Sequence, residues 1–188
     1  MQDTVIEGID YGPLSSLVGV WQGNQGVDVA PEPDSDEVSP YYEVLTFEAA
    51  GDVTNAEEQT LSVVRYHQVV HRKSNDEVFH DQVGYWLWDS ATGVICQTLT
   101  IPRAVTLLAG GTAQSSGETT VIEVKAVDGS DTWGIVQSPF MREKARTTEF
   151  QHKITVTGDT LVYSETTVLE IYGKAAYPHT DGNTLTRS

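Results

Sequence analysis

The chain has 188 residues, of which 39% are hydrophobic and 20% charged; that suits one domain with a buried core and excludes a disordered chain or a membrane protein. Lys and Arg number 11 against 27 Asp and Glu, so the net charge of −16 excludes a generic binder of nucleic acid or anionic membrane, both of which are polyanions. The lone cysteine, Cys96, excludes an intramolecular disulfide and any zinc site built on paired cysteines; with no basic, apolar leader at the start, the chain reads as cytoplasmic.

In chain order, residues 1–12 read as an N-terminal extension. Gly12-Pro13-Leu14-Ser15-Ser16-Leu17-Val18-Gly19 predicts one helical turn, with proline near its start and glycine just past its end. Such a turn would plug one end of a barrel. Residues 24–40 contain the acidic run Ala30-Pro31-Glu32-Pro33-Asp34-Ser35-Asp36-Glu37 and read as an irregular acidic loop or flap; the carboxylate spacing is no EF-hand. Residues 44–48, 61–70, 83–88, 94–101, 104–108 and 119–127 are rich in β-branched and aromatic types. Strict alternation over 150–156 and 161–165 predicts half-buried strands. Ala91-Thr92-Gly93, Gly110-Gly111, Asp128-Gly129-Ser130 and Gly158-Asp159 read as the turns between them, and Asp181-Gly182-Asn183 has turn chemistry too. The pattern predicts a single all-β domain over 1–188. Its antiparallel up-and-down sheet must curl or close to hide its edges.

Gly19-Val20-Trp21-Gln22-Gly23 follows the helical turn. In a barrel the glycines Gly19 and Gly23 allow bending and close approach, and the indole of Trp21 closes the barrel end as packing. Further on stands His80-Asp81-Gln82-Val83-Gly84-Tyr85-Trp86, and near the C-terminus His179 precedes a last strand ending at Arg187. In this order and spacing, over roughly residues 14–188, the chain resembles the nitrobindin-like, THAP4-type haem-binding β-barrel family, calycins similar to fatty-acid-binding proteins. The resemblance implies an antiparallel calycin-type barrel of roughly ten strands with room for one small ligand. It implies haem b as cofactor, His179 as the axial ligand of the haem iron and His80 on the distal side. The family activity implied is isomerisation of peroxynitrite to nitrate at ferric haem, with nitric oxide as another small ligand. Two alternatives use the same barrel. It carries a fatty acid or other apolar molecule, with Arg65, Arg103 or Arg146 meeting a carboxylate, or it has lost its cofactor and is filled by side chains.

The remaining histidines read differently. His67 and His71 share a strand face but have no third ligand at a usable spacing. His152 alternates with Ile154 and Val156 and reads as a core residue. Trp21, Tyr85, Trp86, Trp88, Trp133, Phe140 and Phe150 line a cavity or, more simply, pack. Gly110-Gly111-Thr112 lacks a P-loop lysine, and no Gly-x-Ser-x-Gly elbow occurs.

Overall fold

In the computed structural model, which describes residues 3–188, a small hairpin of β1 (Val5–Ile6) and β2 (Ile9–Asp10) leads into a 3-10 helix, Gly12–Ser16. Strands β3 (Gly19–Pro31), β4 (Asp36–Asn55), β5 (Gln59–Arg72), β6 (Val78–Asp89), β7 (Val94–Ile101), β8 (Val105–Ser116) and β9 (Thr119–Val127) follow as an antiparallel meander. A short β10 (Ile135–Gln137) and helix α1 (Pro139–Lys144) precede β11 (Ala145–Thr157), β12 (Thr160–Ile171) and β13 (Lys174–Arg187). Ten of these strands close into a barrel through the β8–β9, β9–β11 and β13–β3 pairings, and β10 pairs only with the start of β8. Closure removes the exposed edges that the sequence pattern required to be hidden. The expected all-β antiparallel barrel is thus formed. No helix among the described residues is long and apolar enough to cross a membrane.

The two ends of the barrel differ. The 3-10 helix caps one of them, burying Leu14 and Leu17 completely. Trp21, fully buried, donates its indole N–H to the Leu17 carbonyl at 2.7 Å, and the Arg187 guanidinium lies 4.1 Å from its ring centroid. Arg187 also donates to the carbonyls of Ser16 and Val18, so the last strand ties down the plug. Gly19, at φ +139°, leaves the space that this arginine occupies, and a Cβ on Gly23 would press on the Thr184 carbonyl of β13. Above the plug, Trp86, Ile95, Ile122, Ile154, Leu161 and Leu185 fill the lower barrel. The other end is an open mouth, ringed by the β3–β4, β5–β6, β7–β8 and β12–β13 turns and partly covered by residues 128–144.

Three expectations are corrected. Residues 24–40 are not an irregular flap: Gly26–Pro31 of β3 pair with Asp36–Tyr41 of β4, leaving only residues 32–35 as the hairpin turn. The alternation Gly26, Asp28 inward against exposed Val27 was masked by the acidic, proline-bearing turn beside it. Gly110-Gly111 is no turn but the middle of β8, where the Trp133 ring covers Gly110 and the Glu123 carbonyl crosses Gly111 too closely for any side chain. Asp181-Gly182-Asn183 likewise runs on as strand β13, paired with β12. The N-terminal extension, whose first two residues lie outside the described ones, folds as the β1–β2 hairpin with Tyr11 buried. Helix α1, unforeseen, starts at Pro139 with Ser138 as its cap, the Ser138 hydroxyl accepting from the Met141 N–H at 3.3 Å.

Candidate functional site

The upper barrel holds a cavity of about 330 Å³ that opens at the mouth. One wall is apolar, built from Phe79, Leu99, Val105, Leu107, Phe150 and Leu169. The opposite wall is polar because of strand β13. Its period-2 alternation turns His179, Asp181, Asn183 and Leu185 inward, and β3 and β12 flank it with Asp28 and Glu165.

His179 therefore faces the cavity. Its Nε2 lies 2.7 Å from the Asp28 Oδ1, while Nδ1 has no protein partner among the described residues. Burial pulls its pKa down, but the bond to Asp28 and the charges of Asp28 and Asp181 outweigh burial and hold it above the ordinary 6.5. A histidine fixed by a carboxylate on one nitrogen and open on the other is the donor arrangement found at metal centres. His80 also lines the cavity, with Nε2 at 3.1 Å from the Gln82 Oε1. Burial holds its pKa below 6.5, so at pH 7 it is neutral.

Beneath these residues lies a polar layer. Glu43 is almost fully buried and accepts from Gln68 at 2.6 Å, Asn183 at 2.8 Å and Tyr163 at 2.9 Å. The Tyr41 and Tyr163 hydroxyls meet at 2.6 Å. Tyr66 accepts from Gln82 and Gln97, and Gln97 in turn binds the Nδ1 of His152 at 3.1 Å. Burial drives His152 down to about 3, so it is a neutral core residue, as its alternation predicted. Glu165 and Asp181 sit opposite each other on β12 and β13 and both line the cavity. Burial first, then the nearby Glu43 charge, pushes Glu165 up to about 8; burial and the facing Glu165 hold Asp181 well above the carboxylate range.

Other candidates lie elsewhere. His67 is exposed and pairs with Asp81, and His71 stacks flat on Tyr42 with ring centroids 4.8 Å apart. Arg65 and Arg146 are held by Glu48, Asp128 and Glu170 away from the cavity; only Arg103 of the three reaches it. Trp21 and Trp86 are packing, Tyr85 and Phe140 are exposed, and Phe150 alone of the aromatic candidates lines the cavity. Sequence reasoning missed Asp28, Glu165, Asp181 and Arg72. Asp28 and Asp181 lay in stretches read as loop and turn, and Arg72 joins the mouth by stacking its guanidinium 5.0 Å from the Phe79 ring centroid. The alternation of Asp181 with Asn183 and Leu185 was the available signal.

No curated protein sequence matches the chain. Among solved structures, the crystal structure of Rv2717c from M. tuberculosis is similar, with a TM-score of 0.69 at 21% identity over 93% of this chain and 94% of that one. That likeness speaks to the fold. A family model described as the THAP4-like, heme-binding beta-barrel domain matches residues 10–187, and the chain belongs to that family.

Proposed function

We propose that the chain holds haem b in the upper barrel with His179 as axial donor, and that it acts on nitric oxide or peroxynitrite there. The residues present fit the group. An imidazole with one nitrogen open stands across the cavity from an apolar wall, and Arg72 and Arg103 at the mouth offer cations to propionates. The single observation that carries the reading is His179, inside the barrel, bonded to Asp28 on one side only.

Bound ferric haem supplies the Lewis acidity for turning peroxynitrite into nitrate, an isomerisation that needs no co-reactant. The chain's own part is positional and electrostatic. Asp28 orients the His179 ring and strengthens it as a donor. Neutral His80 gives its Nε2–H to the Gln82 Oε1, so its other ring nitrogen is an acceptor and receives a hydrogen bond from a protonated ligand such as peroxynitrous acid. The apolar wall limits water. Arg72, paired with Glu37 at 3.3 Å, and Arg103 are the cations at a mouth that also carries Glu32, so the overall charge of −16 still works against an anion in solution. Buried Glu43 and Glu165, with the half-buried Asp181 beside them, oppose the deep carboxylate site of a fatty-acid carrier.

Haemin titration of the purified chain, followed by the Soret band, tests this. One haem per chain is expected, with affinity falling at least about tenfold in His179→Ala and unchanged in His67→Ala and His71→Ala. Stopped-flow decay of peroxynitrite then reads the activity, which His80→Ala should slow while keeping haem. Binding by His179→Ala as tight as wild type overturns the axial role.

A further inference from the structure

The barrel holds two buried inward glutamates with opposite fates. Glu43 is saturated by three donors. The Glu165 side chain, on a residue only 8% exposed, has no hydrogen bond among the described residues; the His152 Nδ1, 3.6 Å away, is already committed to Gln97. Asp181, directly across from it, has no hydrogen-bond donor either. Carboxyl groups without donors on the wall of a cavity are open to a cation, which takes the place of their protons. Close by, one ligand atom each from Asp28, His179 and Asp181 lies within 4.8 Å of the other two. Ligands at about 2.0–2.2 Å around a tetrahedral ion stand about 3.3–3.6 Å apart, so small rotations close this set.

We propose that Asp28, His179 and Asp181, with Glu165 as a fourth donor, form a site for a divalent first-row transition metal ion in haem-free protein. One imidazole with three carboxylates suits zinc, manganese or ferrous iron, and no thiolate is present to favour copper(I). The cavity leaves further positions on the ion open to small ligands. Haem and the ion compete because both take His179, but the ion site does not depend on the haem reading. Asp181 and Glu165 serve the ion alone.

Calorimetric titration of the haem-free, chelator-treated chain with Zn²⁺ tests this. One saturable site per chain is expected, with affinity falling at least about tenfold in Asp181→Asn and in Glu165→Gln, and unchanged in the rim variant Glu32→Gln. Both site variants keep His179, so haemin titration of the same samples separates a lost ion site from a lost fold. Should a variant lose both, the wild type decides: saturating Zn²⁺ should slow haem uptake, and uptake unaffected by zinc overturns the proposal. No saturable zinc site in the wild type, or both site variants binding as wild type, also overturns it. Zinc binding without haem binding sinks the haem reading and leaves this one standing.

Discussion

Trp21→Ala removes a side chain with no exposed surface from the plugged end of the barrel. Truncating a fully buried tryptophan costs about 3–5 kcal/mol through lost transfer energy and the cavity left behind. The substitution also strands the Leu17 carbonyl, whose partner is the indole N–H at 2.7 Å, and takes away the ring beneath the Arg187 guanidinium. For a domain of this length each kcal/mol moves the midpoint by about 2–4 °C, so Tm should fall by about 6–20 °C. Trp21→Phe keeps most of the packing and loses only the donor, which should cost about 1–3 kcal/mol. Equilibrium urea unfolding, followed by far-UV circular dichroism, measures both. The mouth lies at the opposite end, so the fraction that remains folded should take up haemin as tightly as wild type. A Trp21→Ala variant within about 1 kcal/mol of wild type, or a Phe variant as damaged as the Ala one, would show that the indole does not hold the plug in the way described.

Gly84→Ala should be destabilised by about 1–3 kcal/mol or more, because a Cβ there collides with the Thr98 carbonyl of β7; denaturant midpoints check this, and a neutral effect refutes the close approach. The buried Asp128 carboxylate is bonded by Arg142 and Arg146, which pin the segment over the mouth. Burial raises its pKa, but the two arginines outweigh burial and hold it below 3.8, so its contribution is present above that value and is lost as pH falls through the lowered one. Asp128→Asn should therefore melt below wild type at neutral pH and converge with it in acid, as thermal scans across pH would reveal.

The barrel was legible in the sequence because strand alternation and tight turns are local signals; 150–156 and 161–165 lie within β11 and β12, with Gly158 in the turn between. Gly110-Gly111 and Asp181-Gly182-Asn183 failed because glycine there answers to a carbonyl of the neighbouring strand or to a ring laid over it, a cause that composition cannot express. For the site, His179 and His80 were named through the resemblance. Asp28 and Glu165 were not, since each matters only through a neighbour far away in sequence: Asp28 through His179, and Glu165 through Asp181 on the next strand.

The β13–β3 pairing has a bearing on how the protein matures. The other junctions in the ring are hairpins, save β9–β11 with residues 128–144 between its strands, whereas this one joins the first barrel strand to the last. Its loop-closure entropy is the largest in the fold, and β13 is the last of the barrel strands to be synthesised. Asp28 and His179 stand on opposite sides of that seam. A nascent or opened barrel therefore has no paired histidine to offer, and uptake of a ligand at this position reports that the ring has shut.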